Sequence, residues 1–326
     1  MIAAEAAERR RAMLRTAMGP AIAAALADPL VVEVMVNPDG ALRLDRLDVG
    51  RCETGLTLSP DQVERIIRLV ASHVRSEVHG EATIVSAELP PHGQGAGERF
   101  EGLLPPVSTA PCFAIRKPAA RVYSLADYVN DGIMQPEEAR LLSLAVVERR
   151  NILVAGGTSS GKTTLANALL GELAARDERV ILIEDTRELQ CPARDTVALR
   201  TRPRAVAMAD LVRSTLRLRP DRIVVGEVRG GEALDMLKAW NTGHPGGIAT
   251  VHANGALAAL YRLEQLVQEA IPVVPRRLIA EAIDLVVFIE GRGTARRVGC
   301  LAAVEGVDSS GDYSVRPLLA GRRSDH

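Results

Sequence analysis

Aromatic residues are scarce, with one Trp, four Tyr and three Phe in 326 residues, and lysine is scarcer still. Of 40 basic residues only Lys117, Lys162 and Lys238 are lysines, which favours drift toward arginine as the explanation and makes each lysine worth locating. Neither sign of charge is in excess: 40 basic against 41 acidic residues leave a formal net charge of −1. That argues against a broad basic surface for coating nucleic acid. Cys52, Cys112, Cys191 and Cys300 form no C-x-x-C pair, so neither a disulfide framework nor a thiolate metal site is expected. The longest stretch without formal charge, 239–261, carries His244, His252, two Asn, one Pro and four Gly, a content no lipid-facing helix would bear. Met1 to Arg11 has acidic and consecutive basic residues with no apolar core after them, so no signal peptide is expected. A soluble, cytosolic protein follows, with peripheral membrane contact left open.

What remains is an ordinary folding chain, 47% hydrophobic and 25% charged, long enough for about two domains. The first part reads as small and α+β. A helix over 3–27 breaks at Gly19-Pro20, and 30–36 and 41–47 form a hairpin around Asn37-Pro-Asp-Gly40. Ser59-Pro60-Asp61-Gln62 opens a helix whose Val63, Ile66, Ile67, Val70 and Val74 share one face. Strands are expected over 82–89, 99–104 and 112–116, the first two around the Gly-rich turn 92–97. The predicted domains are 1–120, a linker at 121–136, and 137–326, the linker falling in a stretch marked by the X-Pro steps Lys117-Pro118 and Gln135-Pro136 and the turn Asn130-Asp-Gly132. In the last of these, strands at 151–155, 179–184, 222–227 and 248–252 alternate with helices at 161–175, 209–218 and 231–242. Such alternation predicts an α/β domain, a mostly parallel sheet with helices on both faces.

The strongest motif is Gly156-Gly157-Thr158-Ser159-Ser160-Gly161-Lys162-Thr163, followed by Thr164, between an apolar strand and a helix. Glycines let successive N–H groups turn inward on a phosphate, and the helix N-terminus adds partial positive charge. Lys162 would reach the β- and γ-phosphates, and Thr163 would offer a hydroxyl to Mg2+. No Asn-Lys-x-Asp guanine reader is present, which favours ATP. Two strands then end in carboxylates, Glu184-Asp185 (with Glu188 beyond) and Glu227, where hydrolysis needs one group near Mg2+ and one to orient water. His244 and His252 flank a strand without a third ligand nearby, so zinc is not expected.

Four motifs in this order resemble the ATPases of the type II/type IV secretion superfamily: the loop 156–164, Ile183-Glu184-Asp185-Thr186, Ile223–Glu227 with Arg229-Gly230, and Gly243–His252. The resemblance covers about 30–290. Val36-Asn37-Pro-Asp-Gly40, Gly97–Pro106 and Ile115-Arg116-Lys117-Pro118 look most like the conjugal-transfer ATPases of the type IV branch, and the four-cysteine zinc module of the type II and pilus-assembly ATPases is lacking. It implies a RecA-like P-loop motor preceded by a smaller α+β domain, assembled as a homo-hexamer with other secretion components at the inner face of the inner membrane. It also implies Glu184 as catalytic base, with Glu188 the alternative. Glu227 would sit by Mg2+, and His244 and His252 would sense the γ-phosphate. Arg99, Arg116 and Arg217 are the candidates for an added positive charge on that phosphate. ATP would lie between the two domains, with 121–135 as hinge. The alternatives are a RecA-like nucleic-acid motor, for which the composition offers little aromatic or basic channel, and a pilus assembly or retraction ATPase of the same superfamily. Sequence-specific nucleic-acid binding is not expected.

Overall fold

In the computed structural model, which describes residues 2–73, 83–90, 96–118, 121–202 and 205–319, the chain divides after Ala120 into two units. The first begins with α1 (Ile2–Met18) and α2 (Pro20–Ala27), broken at Gly19 with φ 86° and Pro20 at the first helical position. Strands β1 (Val31–Val36), β2 (Ala41–Arg46) and β3 (Gly50–Thr57) follow, then α3 (Pro60–His73), β4 (Ile84–Glu88), β5 (Arg99–Leu103) and β6 (Cys112–Arg116). The sheet order is β3-β2-β1-β6-β5-β4. The cap expected at Ser59 is present: Gln62 N–H donates to Ser59 Oγ and Ser59 N–H to Gln62 Oε1. Val63, Ile66, Ile67 and Val70 of α3 pack on Val34, Phe100 and Ile115 from the sheet, with Phe100 stacked on Phe113 at 5.5 Å. Val74, Ala82 and residues 92–95 of the Gly-rich turn lie outside the described residues. Strand β3 has no counterpart in the sequence reading; with two glycines, two charges and no buried residue it carries little of the apolar alternation that marks a strand.

The second unit begins where a linker is expected, and here the structure corrects the sequence. Residues 121–136 contain α4 (Leu125–Asn130), capped by a reciprocal Ser124–Asp127 box, and Leu125, Tyr128 and Met134 are buried in the core of this unit. There follow α5 (Pro136–Val147), β7 (Ile152–Gly156), α6 (Lys162–Gly171), β8 (Arg179–Glu184), β9 (Asp195–Arg200), α7 (Met208–Thr215), β10 (Arg222–Val225), α8 (Glu232–Asn241), β11 (Ile248–His252), α9 (Ala256–Gln268), α10 (Arg276–Ala282), β12 (Leu285–Glu290), β13 (Arg297–Val307) and β14 (Tyr313–Pro317). The sheet order is β14-β13-β12-β7-β11-β10-β8-β9, parallel from β12 to β9 with β13 and β14 antiparallel at one edge.

Strand β7 lies inside the parallel part, between β12 and β11, and is buried along its whole length. Its period of two sends Leu153 and Ala155 toward α7–α10, and Ile152 and Val154 toward α4–α6. All the parallel strands therefore deliver their C-terminal ends to one rim, where ligands gather in such sheets.

The opposite rim is held by a buried charge. The guanidinium of Arg222 is fully buried, ion-paired to Glu178 and hydrogen-bonded to the carbonyls of Val146 (2.8 Å) and Gly246 (3.2 Å). Arg222→Ala strands that carboxylate and both carbonyls, so urea denaturation should show a loss of about 3–5 kcal/mol. A loss below about 1 kcal/mol would show that the pair is not a structural clamp.

Candidate functional site

The loop after β7 turns into α6 through Ser159 (φ 62°) and Gly161 (φ 96°), a left-handed conformation glycine adopts without strain. Ser160 is buried and its hydroxyl donates to the Gly157 carbonyl at 3.0 Å, closing the loop. Lys162, only 7% exposed, folds back so that Nζ donates to the same carbonyl at 2.9 Å and meets Nδ1 of His252 at 3.2 Å. His252 is the last residue of β11 and stands opposite Gly156 in register, so the sheet brings histidine to lysine across 90 residues of chain.

The contacts continue along the rim. Nε2 of His252 is 2.8 Å from Glu227 Oε1, and the other oxygen of Glu227 accepts from Arg229 at 2.5 Å. Arg229 lies 3.8 Å from Asp185, which accepts from the Thr201 hydroxyl at 2.8 Å. Three of the four motifs expected to carry chemistry thus meet the loop through Lys162, His252, Glu227 and Asp185. Burial lowers the pKa of His252 below its ordinary value, and the Lys162 ammonium lowers it further, so the ring is neutral at neutral pH and Nδ1 can accept. Burial pushes Glu227 the other way, but Arg229, His252 and Lys162 outweigh it and hold the carboxyl below the usual range.

Glu184 ends β8 and is 4% exposed. One of its oxygens, Oε1, accepts from the N–H groups of Glu188 (2.8 Å) and Leu189 (2.7 Å). Burial outweighs those bonds and pushes its pKa up to about 7. Gly226 makes room for it, since a Cβ there would lie 3.1 Å from Glu184 Cγ. The segment that feeds Glu184 is tied to the loop helix by Asn167 of α6, which donates to the Glu188 carbonyl and accepts from Gln190 N–H, each at 2.9 Å. Sequence reasoning passed over Asn167; a buried asparagine in an Ala/Leu-rich helix is the signal that finds it.

Two other expected site residues of the second unit, His244 and Arg217, are not brought to the loop. His244 precedes β11, and its Nδ1 lies 3.1 Å from the Pro220 carbonyl, at the rim where the parallel strands begin. The exposed Arg217 lies at that same rim, beside Leu218, whose carbonyl accepts from Arg179 at the start of β8. Neither side chain therefore reaches this chain's own loop. Arg99 and Arg116 face each other across β5 and β6, in a row with Glu33 and Glu88, on the side of the sheet away from buried Phe100 and Ile115. Lys117 donates to the Asp28 carbonyl at 2.5 Å within that first unit.

The residues present fit a nucleoside phosphate with a hard cation. Among the described residues no group of three or more His, Cys, Asp or Glu is spaced to hold a metal by itself. Yet Glu227 Oε1 is a buried carboxylate oxygen with no donor aligned on it, and Thr163 is in the first turn of α6. That sparse all-oxygen set suits Mg2+, which takes its remaining ligands from water and phosphate.

Fold and site together define an α/β protein with a phosphate-cradling loop backed by a lysine, a histidine and two carboxylates. The chain belongs to the type II/IV secretion system protein family, which matches residues 67–290. The conjugal transfer protein TrbB of Rhizobium radiobacter is 48% identical over 295 residues, 90% of each chain. The type IV secretion system protein PtlH of Bordetella pertussis is 36% identical over 307 residues, covering 82% of this chain and 88% of the relative. Among solved structures, the pilus retraction motor PilT with bound ADP superposes with a TM-score of 0.59 at 18% identity, covering 90% of this chain and 80% of that one, a likeness of fold alone.

Proposed function

We propose that the chain is an ATP-hydrolysing motor of a type IV secretion or conjugation apparatus, with a RecA-like second domain, working as a homo-hexamer with other apparatus components at the inner face of the inner membrane. The observation that carries this reading is the continuous line Lys162–His252–Glu227–Arg229 at the C-terminal rim of the sheet. The identity to TrbB over nine-tenths of the chain supports the apparatus. Among the described residues no helix is long and apolar enough to cross a membrane.

The chemistry follows from the groups in place. The loop N–H groups and Lys162 bind the phosphates, the ammonium exchanging the Gly157 carbonyl and His252 Nδ1 for phosphate oxygens. Thr163 and Glu227 would hold Mg2+, which would supply positive charge against the negative charge developing on the phosphate. Glu184, with a pKa near neutrality, orients water and takes its proton. His252 loses one partner when Lys162 turns to phosphate and keeps its contact with Glu227, so the state of the γ-phosphate reaches β10 and β11.

Phosphate release by the purified chain with Mg-ATP tests hydrolysis, and no turnover would overturn it. Gel filtration with a non-hydrolysable ATP analogue should give a hexamer; a strict monomer would overturn the ring. A large stimulation by DNA, with micromolar affinity at physiological salt, would favour the nucleic-acid motor instead.

A further inference from the structure

The loop is flanked on both sides. Strand β11 brings His252 on one side; strand β12 is on the other, with Ile289 in register with Gly156. The turn after β12 brings Arg296 down onto the loop. A Cβ on Gly161 would lie 2.9 Å from Arg296 Nε and 3.0 Å from its Cζ, so the guanidinium packs directly against the residue that caps the start of α6.

This arginine is unlike most of the others described. Surface arginines here pair with carboxylates, as Arg140 does with Glu137 and Arg316 with Glu305. Arg296 is half-buried, and its Nε is sealed from solvent with no hydrogen-bond partner among the described residues. A buried charged donor left unpaired is costly unless a ligand completes it. A second orphan stands near: Tyr128 of α4 is 1% exposed, and its hydroxyl also has no partner. Burial raises the pKa of that phenol, and the charge of Arg296 is the next largest influence on it, in the opposite direction. A positive group and a buried hydroxyl thus stand together on the β12 side of a phosphate loop.

Sheet order decides which part of a nucleotide they would meet. Lys162, His252, Glu227 and Glu184 all lie toward β11, β10 and β8, where the γ-phosphate, cation and water belong on the reading above. Arg296 lies on the far flank. We propose that Arg296 is a further nucleotide-binding residue, contacting the α,β-diphosphate of a nucleoside di- or triphosphate from the β12 side of the loop.

This inference rests on the nucleotide reading of the loop, and the experiment separates the two. A fluorescent ADP is titrated into the full chain and displaced with ADP and with a non-hydrolysable ATP analogue, for the native protein, Arg296→Ala and Arg296→Lys. Charge-assisted bonds of this kind make the expected loss for Arg296→Ala roughly 10- to 100-fold, equal for the two competitors, with Arg296→Lys in between. The nucleotide-free thermal midpoint should not fall, because the native guanidinium bonds no partner among the described residues; a merely structural role would lower it. Unchanged ADP affinity in Arg296→Ala overturns the proposal, as does a loss confined to the ATP analogue, which would put the arginine at the γ-phosphate. If the native chain binds neither nucleotide, the reading of the loop itself fails.

Discussion

Lys162→Ala is expected to lower phosphate release at saturating Mg-ATP by at least roughly 10²–10³-fold, the range lost when a preorganised donor to developing negative charge is removed. The fold should survive, because Lys162 stands at the start of α6 and its ammonium bonds the Gly157 carbonyl and His252 within the loop and its neighbouring strand rather than in the hydrophobic core. Lys162→Arg should fail almost as completely. The pocket holds a compact ammonium between a carbonyl and an imidazole, and a planar guanidinium does not fit that space. One readout is specific to the observed geometry. The Lys162 ammonium helps hold the His252 pKa down, so its removal should raise the imidazole's titration midpoint, measurable by NMR in the nucleotide-free protein. Turnover within tenfold of native would overturn the role of Lys162, and an unmoved His252 would overturn the contact between them.

Legibility in the sequence followed the range of the interactions. The phosphate loop is legible because strand, loop and helix are contiguous, and Gly156 and Gly161 each have a local cause, a close approach to Ile289 and a positive φ. Glu184, Glu227 and His252 were readable as residues at the ends of apolar runs, and parallel pairing then places those ends on one rim. His244 shows the limit of that reasoning. It sits eight residues before His252 across a five-residue strand, and at about 3.3 Å per residue the two cannot reach the same rim. The stretch at 121–136 reads as a linker because Gly132, Pro136 and the nearby Pro118 outweigh its short apolar pieces. Leu125 and Tyr128 are nevertheless three apart on a capped helix, the spacing of a buried face. Arg296 had no local signal at all. It is one arginine among many and reaches Gly161 only because β12 pairs with β7.

Glu184→Gln is expected to lower turnover by roughly 10²–10⁴-fold while making the protein more stable at alkaline pH. The amide keeps the shape, and its oxygen can still accept from Glu188 and Leu189, so the change isolates the charge. Burial raises the folded-state pKa to about 7, above the ordinary carboxylate value that applies once the chain unfolds. Between those values the folded state holds the proton and the unfolded state does not. Stability from this group is therefore fully present below about pH 4.5 and lost as pH rises through about 7. Holding the ionised form in place costs on the order of 3 kcal/mol. The variant's advantage over native in urea denaturation should accordingly grow from under about 1 kcal/mol at pH 5 to about 3 kcal/mol at pH 8. Native turnover should run the other way, rising with pH to a midpoint near 7 as the carboxylate becomes available to take a proton from water. Glu188→Gln is the comparison, since its backbone N–H bonds Glu184 while its half-exposed carboxylate acts on Glu184 through charge, helping to raise that pKa. If Glu188→Gln abolishes turnover and Glu184→Gln leaves it within a few-fold, the base is Glu188. If Glu184→Gln brings no alkaline stabilisation, the buried carboxyl is not held under strain. The paired outcome, activity lost and stability gained above pH 7, is what a carboxylate kept in a costly state for its chemistry requires.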